Sequence, residues 1–224
     1  MTKGDIYIVR FSAWAPGIAN AGEWNEWALG RKDISYDAKG PEISFTDSLF
    51  RRRLSQISKM TIKVIHDILP LGDDTKIFFL SFRGELSRQY QINMMLLEEK
   101  ALSPAAFSLS VFNAPAALSS MALGLKGGYS ALYPGKNSFA SGIKAAQAAL
   151  LSETQDELLF VYADENIPSE YLRITEKCPP LAFALLLSRT PRGSCVPLLL
   201  FGENENPHDF LKQLILHGEA NVSF

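Results

Sequence analysis

The sequence predicts an α/β protein with a mainly parallel, layered sheet, crossover helices and an added antiparallel hairpin. Apolar runs at residues 6–11, 76–81 and 157–163 have the continuous hydrophobic character of strands that are covered on both faces. Segments with helical spacing of apolar residues lie between these runs, as expected for the crossovers of a parallel sheet.

The hairpin is predicted from two further apolar runs, residues 181–189 and 195–201. Residues 190–194 between them are rich in turn-forming side chains, which is typical of a strand–turn–strand unit. Pro197 has no amide hydrogen to donate, so the second strand is expected at an edge or a bulge.

The helices are predicted from apolar residues that recur every three or four positions and from their end signals. Pro70 ends the first helix, Asn113 and Pro115 begin a short one, and Gly124 ends it. The predicted helical segments are residues 47–69, 86–100, 113–124, 139–150 and 206–218.

Composition is that of an ordinary globular domain. The 224 residues are 47% hydrophobic and 21% charged, and the net charge of −2 gives little electrostatic support for binding nucleic acid. Residues 1–224 are therefore expected to form a single domain, with residues 13–46 as an irregular insertion. Trp14, Trp24 and Trp27 are expected to pin this insertion onto the body, rather than to line an acyl or partner surface.

Signals for export, membrane insertion and metal binding are missing from the sequence. No apolar run reaches the roughly 18 residues of a membrane span, and charged residues interrupt the first ten positions, so a cytoplasmic location is expected. Cys178 and Cys195 lack the spacing of a metal-binding pair, and their redox state stays open. We expect neither a metal site nor a cofactor.

The segment 124–143 is the centre of the functional prediction. It predicts a short strand, a tight turn and a helix that Asn137 or Ser138 caps. The helix has apolar or small residues nearly all round, which predicts burial on most sides. The strand residues are Ser130, Ala131, Leu132 and Tyr133, and the main apolar face of the helix consists of Phe139, Ile143, Ala146 and Leu150.

Two side chains at this turn are candidate nucleophiles. Lys136 would be an activated amine if it were desolvated, but the sequence shows no partner base, so a surface charge or a blocked site fits equally well. Ser138 would need a histidine beside it, whereas His66, His208 and His217 all lie in predicted helices. The Gly-Lys pair at the turn lacks the other residues of a phosphate-binding loop, so nucleotide binding is not expected.

The segment 124–143 resembles the nucleophile elbow of the β-ketoacyl synthases, which have the thiolase fold. In that family a Gly-Leu-Lys-Gly-like stretch leads into a strand, and the catalytic Cys opens the next helix at a fixed spacing. Counting forward from Gly127 and back from Ile143 both lead to Lys136. The resemblance therefore implies that Lys136 occupies the position of the nucleophile.

Four further stretches resemble the β-ketoacyl synthase-like N-terminal domains and chain-length factors of aryl-polyene and related pathways: residues 12–17, 51–55, 81–87 and 102–114. The resemblance covers most of the chain and implies one half of a thiolase fold. Members of that group often carry His where this sequence has Phe112.

The resemblance implies a non-catalytic subunit. A full ketosynthase takes its catalytic Cys from the first half and two catalytic His residues from the second, and only the first half is matched here. The implied role is to pair with a catalytic β-ketoacyl synthase, stabilise it and shape its acyl pocket, with an acyl carrier protein as a further partner. We expect association through the strand at residues 130–133, as a homodimer when the protein is alone. Two alternatives stay open: an acyltransferase or thioesterase that uses Ser138 or Lys136, and a homodimeric scaffold.

Overall fold

The strands of the protein form one sheet. The computed structural model describes residues 5–99, 103–135, 138–152, 154–173, 177–201, 203–204, 206–217 and 221–223. Within these ranges the strands are β1 (Tyr7–Trp14), β2 (Lys76–Leu80), β3 (Tyr129–Leu132), β4 (Glu157–Asp164), β5 (Leu181–Ser188), β6 (Val196–Pro197) and β7 (Asn221–Ser223).

Helices cover both faces of this sheet. In the described ranges they are α1 (Ala21–Ala28), α2 (Ser48–Arg51), α3 (Gln56–Asp67), α4 (Leu86–Glu99), α5 (Pro104–Ser108), α6 (Ala114–Leu123), α7 (Phe139–Ser152) and α8 (Pro207–His217). Two 3₁₀ turns, Ser169–Arg173 and Leu198–Leu200, complete the regular structure.

The strand order is β3-β2-β4-β5-β1-β6, and β7 also pairs with β1. Strands β3, β2 and β4 run parallel, whereas β5 is antiparallel to both β4 and β1. Strand β6 is antiparallel to β1, and β7 is parallel to it. Five strands therefore run in one direction and two in the other, which confirms the α/β class with a layered, mainly parallel sheet.

The predicted hairpin of residues 181–189 and 195–201 is wrong. Strand β1 lies between β5 and β6 and pairs with both, and β6 contacts it only at Tyr7↔Pro197 and Ile8↔Val196. Residues 198–200 form a 3₁₀ turn instead of a longer strand. The long strands β4 and β1 pair with the two edges of β5, so β6 lies at the outer edge of the sheet. Pro197 is compatible with an edge position because it lacks an amide hydrogen.

Two apolar layers hold the helices to the sheet. Residues of α1, α7 and α8 pack on one face, and residues of α3 and α6 pack on the other. Phe139 of α7 lies edge-on to Phe160 and Phe183 of the sheet and to Phe210 of α8, with ring centroids 5.2–6.0 Å apart. This aromatic cluster fixes the start of α7 at the carboxyl end of the parallel strands.

The segment 13–46 is more regular than predicted. Strand β1 continues to Trp14, and residues 21–28 form α1, which packs against α8. The Asn20 side chain caps the helix by accepting from Glu23 N (3.1 Å), and Glu23 Oε2 accepts from Ala19 N (2.6 Å), the amide just before the cap. Trp24 and Trp27 are 1% and 5% exposed, so they anchor a helix to the body, not a loop.

The predicted helix at residues 47–69 consists of two helices, α2 and α3, separated by residues 52–55. Asp47 caps α2 by accepting from Leu49 N and Phe50 N, both at 2.9 Å. Ser55 caps α3 by accepting from Ser58 N at 3.2 Å. A serine side chain that bonds the backbone of a new first turn competes with continuation of the preceding helix, and this causes the break.

Candidate functional site

Strand β3 forms one end of the sheet. It pairs with β2 in parallel register from Ile77↔Tyr129 to Leu80↔Leu132, and it comes first in the strand order. The chain enters β3 in close contact with β2, because a Cβ atom at Gly127 would lie 2.3 Å from the carbonyl oxygen of Thr75. Within the described residues no strand pairs with the outer side of β3.

The backbone of β3 divides its hydrogen-bonding groups between two sides. Gly128 O accepts from Ile77 N (3.0 Å), and Leu132 O accepts from Ser81 N (3.3 Å). Successive residues of a strand direct their N–H and C=O groups to opposite edges. Residues 128, 130 and 132 therefore face β2, and Tyr129, Ala131 and Tyr133 direct their backbone groups to the outer side.

The turn after β3 leads directly into α7. Gly135 has a φ of 82°, a left-handed conformation that glycine adopts without strain. Ser138 caps α7 by accepting from Ser141 N at 3.0 Å, which confirms it as one of the two predicted caps. Lys136 and Asn137 lie outside the described residues, so the position of Lys136 at the helix start stays a prediction.

Helix α7 is buried on one face only. Its predicted core residues Phe139, Ile143, Ala146 and Leu150 are all buried, as expected. The prediction of burial nearly all round is wrong, because a single helix layer covers this side of the sheet and the outer face of α7 is open. Its exposed residues include Ser141, Lys144, Ala148 and Leu151. This open face combines small side chains with the charged Lys144 and the apolar Leu151.

The described residues place no base beside Ser138. Its hydroxyl forms a hydrogen bond with the Ser141 hydroxyl. Each histidine packs against an aromatic ring elsewhere: His66 on Phe45 (3.7 Å between ring centroids), His208 near Trp27 (6.3 Å) and His217 near Phe201 (5.6 Å). A serine hydroxyl without a base is a weak nucleophile, so an acyltransferase or thioesterase that uses Ser138 is not favoured.

A buried aspartate organises the turn after β2, close to the elbow. The Asp164 carboxylate accepts four hydrogen bonds, two from side chains and two from backbone amides; the donors are Ser81 Oγ (2.6 Å), Tyr162 OH (2.8 Å), Arg83 N (3.0 Å) and Phe82 N (3.1 Å). Burial raises the pKa of Asp164, and the Ser81 and Tyr162 bonds oppose this rise. In the sequence, Asp164 is marked only by its place directly after the apolar run 157–163.

Phe112 packs against this same turn. A Cβ atom at Gly84, which has a φ of 56°, would lie 2.6 Å from the Phe112 ring. The ring also lies edge-on to Phe79 of β2, with centroids 6.2 Å apart. At this position the chain therefore supplies apolar packing, and a phenyl ring offers no proton to transfer.

Two more buried carboxyl groups meet at the first turn of α3. Glu85 accepts from the Ser55 and Ser58 hydroxyls, each at 2.7 Å, and Glu165 accepts from Ile57 N at 2.9 Å. Burial raises the pKa of both groups, and the charge of Glu85 helps to raise the pKa of Glu165 to about 8. The signal available in the sequence was an acidic residue directly after a fully covered strand.

In the part of the chain that the structure describes, no group of three or more His, Cys, Asp or Glu residues could hold a metal ion. Cys178 and Cys195 are free thiols. The helices of the described ranges lack the length and apolar character that crossing a bilayer requires.

The fold and the elbow define a thiolase-like half domain of the ketosynthase type. A family model for the β-ketoacyl synthase N-terminal domain matches residues 24–210. The chain therefore belongs to the β-ketoacyl synthase N-terminal domain family. A search among curated proteins found no match.

Solved structures with the same fold include ketosynthase complexes. A chain in the structure of the ketosynthase ApeO with its chain length factor ApeC from Xenorhabdus doucetiae has a TM-score of 0.77 and 24% identity, over 95% of this chain and 92% of that chain. The ishigamide ketosynthase/chain length factor has a TM-score of 0.68 and 14% identity, over 87% of this chain and 65% of that one.

A third structure contains AntDE:AntF, a type II polyketide synthase acyl-carrier protein in complex with its ketosynthase bound to the hexaketide. Its TM-score is 0.64 with 12% identity, over 84% of this chain and 63% of that chain. This chain thus spans somewhat less than two thirds of its ishigamide and AntDE counterparts. At these identities the likeness concerns the fold, and the fold is that of one half of a thiolase-type enzyme.

Proposed function

We propose that this protein is a non-catalytic, chain-length-factor-type subunit that pairs with a catalytic β-ketoacyl-ACP synthase in a fatty-acid or aryl-polyene-type pathway. The observation that carries the proposal is the open outer side of β3, at the end of the sheet. The pairing residues are Ser130, Ala131, Leu132 and Tyr133, and the ketosynthase supplies an antiparallel strand.

Both the backbone and the side chains of this end favour a protein partner. Unpaired N–H and C=O groups along an edge strand are satisfied when a second strand pairs with them. Tyr133 (54% exposed) follows β3 directly, and Met121 (67% exposed) lies on α6, a helix that contacts β3. Exposed apolar area that adjoins an open strand is characteristic of an interface.

A second argument concerns chemistry. Condensation by a ketosynthase needs a thiolate to hold the acyl chain and donors that stabilise the developing negative charge. The sequence has Lys136 where the family resemblance places the nucleophile, and the described residues bring no histidine to Ser138. These features favour a non-catalytic role for this protein. The partner then carries out catalysis, and an acyl carrier protein delivers the substrate to the pair.

The test is the mass of the protein in solution, alone and after co-expression with a β-ketoacyl synthase encoded beside it. Light scattering should give a one-to-one complex with the ketosynthase and a homodimer for the protein alone. A monomer that ignores the ketosynthase would overturn the proposal. A homodimer that does not exchange with the ketosynthase would instead identify a scaffold.

The same preparations separate the catalytic and supporting roles. Condensation of malonyl-carrier and acyl substrates should require the ketosynthase and should be absent from the protein alone. Turnover by the protein alone would contradict a non-catalytic role.

A further inference from the structure

The first turn of α3 joins three parts of the molecule through buried carboxyl groups. Glu85 follows the turn after β2, Glu165 follows β4, and both bond to residues 55–58 at the start of α3. Glu85 is 0% exposed and Glu165 is 4% exposed. Two acidic groups are thus held at one helix end with almost no access to water.

The bonding of these carboxyl groups is incomplete. Glu85 Oε2 and Glu165 Oε1 are buried and receive no hydrogen bond from the described residues. A buried carboxylate oxygen without a donor is costly, and two such charges close together are costlier still. A proton on one of the groups removes one charge and converts one acceptor into a donor.

The charged surroundings show which group carries the proton. Glu85 has two serine donors and lies 3.5 Å from the Arg88 guanidinium, measured between Oε2 and Nε. Glu165 accepts from Ile57 N and lies near the Ser87 hydroxyl, which donates to Asn166 O (2.7 Å), and the charges that act on Glu165 are the nearby Glu85 and Arg88. Glu85 is therefore the better supported anion, and Glu165 the better site for a proton.

The segment 36–40 is bonded to residues that lie beside this cluster. Asn166 donates to Tyr36 O (2.8 Å), and Gln56 donates to Asp37 O (2.7 Å), so the neighbours of Glu165 and Ile57 hold the segment. The charged groups of the segment bond to its own residues or to those next to it. Asp37 accepts from Lys39 N (2.8 Å), Lys39 pairs with Glu42 (3.8 Å), and Lys177 lies over the Tyr36 ring (4.0 Å).

We propose that Glu85 and Glu165 together hold one proton in the folded protein, and that this proton fastens the start of α3 and the segment 36–40 to the carboxyl end of the sheet. Loss of the proton leaves two buried charges at one helix end. The segment 36–40 then detaches so that water reaches them. The cluster is a pH-sensitive latch, and it is separate from the β3 edge.

The sign of the effect follows from proton binding. Glu165 has an ordinary pKa of 4.5 in the unfolded chain and about 8 in the folded protein. Between these pH values the folded state binds one more proton, so stability falls as pH rises from 4.5 to 8 and then levels off. Above pH 8 the folded protein itself loses the proton and the latch opens.

Thermal unfolding of the Glu165→Gln variant between pH 5 and pH 9 tests the latch, because the amide imitates a protonated carboxyl. The melting temperature of the wild type should fall by about 3–5 °C per pH unit more than that of the variant up to pH 8, and the variant should melt at the higher temperature there. Glu42→Gln removes an exposed charge and should keep the wild-type slope.

Two further measurements make the test independent of one variant. Glu85→Gln should also flatten the profile, because the pair then has only one charge to bury. Amide exchange at Ile57 in the wild type, whose N–H donates to Glu165, should accelerate between pH 7 and pH 9 after correction for intrinsic rates. Profiles of both Gln variants that run parallel to the wild type, or unchanged protection of Ile57, would overturn the proposal.

Discussion

The two ends of the sheet differ in strand pairing. At one end, β1 is covered by two short strands, β6 at Tyr7 and Ile8 and β7 at residues 10–12. At the other end, β3 pairs with β2 alone, and no strand among the described residues covers its outer side. One end is thus closed by the chain itself, and the other is available to a second chain.

The two ends also differ in features that affect further strand pairing. β6 has only two residues, contains Pro197 and runs directly into a 3₁₀ turn, which are features that discourage further strand pairing. β3 has four residues, no proline and a regular alternation of inward and outward backbone groups. Substitutions at the two ends should therefore differ in their effects on association and stability.

The largest effect is expected from proline at β3. The Ala131 amide faces the outer side, so Ala131→Pro should abolish association with the ketosynthase and leave the monomer folded. The Leu132 amide faces β2, so Leu132→Pro should destabilise the monomer by about 2–4 kcal/mol. Light scattering and denaturant unfolding of both variants check this. An Ala131→Pro variant that still forms the complex would show that β3 does not form the interface.

The next comparison is between alanine substitutions at two glycines near opposite ends of the sheet, whose losses of stability should differ by a smaller amount. Gly127→Ala places a methyl group 2.3 Å from a backbone oxygen of Thr75, which must move, so we expect a loss of about 2–4 kcal/mol. Gly193→Ala meets no atom within 4 Å and has only its φ of 54° to strain, at a cost of about 1–2 kcal/mol. Urea unfolding measures both; equal losses would show that the close approach at β3 relaxes freely.

The smallest effects are expected from two exposed leucines. Leu151→Ser on the open face of α7 (48% exposed) and Leu199→Ser beside β6 (78% exposed) should each change monomer stability by no more than about 0.5 kcal/mol. Only Leu151→Ser should weaken the complex, by about tenfold, since it alone lies on the helix that follows β3. A titration monitored by fluorescence anisotropy would measure the change. Equal affinities for the two variants would exclude α7 from the interface.

Local patterns predicted the elements whose signals lie within their own residues. The continuous apolar runs of β2, β4 and β5 and the spacing of Phe139, Ile143 and Ala146 led to boundaries within a few residues of those observed. The hairpin prediction failed because the partner of β6 is β1, at the far end of the sequence, and nothing near residues 190–194 reports that strand.

The candidate site was predictable in its backbone and less so in its buried charges. The strand, turn and cap at Ser138 follow from turn and capping preferences, which are local. Whether the outer face of α7 is exposed depends on the presence of a second helix layer, and alanine residues are compatible with either case. Asp164, Glu85 and Glu165 acquire their roles only when distant elements meet, because an acidic residue after a strand is usually solvated.

The position of β1 has a consequence for how the protein is made. β1 leaves the ribosome before the other described strands of this sheet, yet its partners β5, β6 and β7 all lie after residue 180. Until β5 emerges, Ile8 and Phe11 have no sheet in which to be buried, although both are fully buried in the finished molecule. Pairing between distant segments is slow and leaves apolar strands exposed meanwhile. Insertion of β1 beside β5 is therefore expected to be the late, rate-limiting event of folding, and the nascent chain is expected to need chaperones until it occurs.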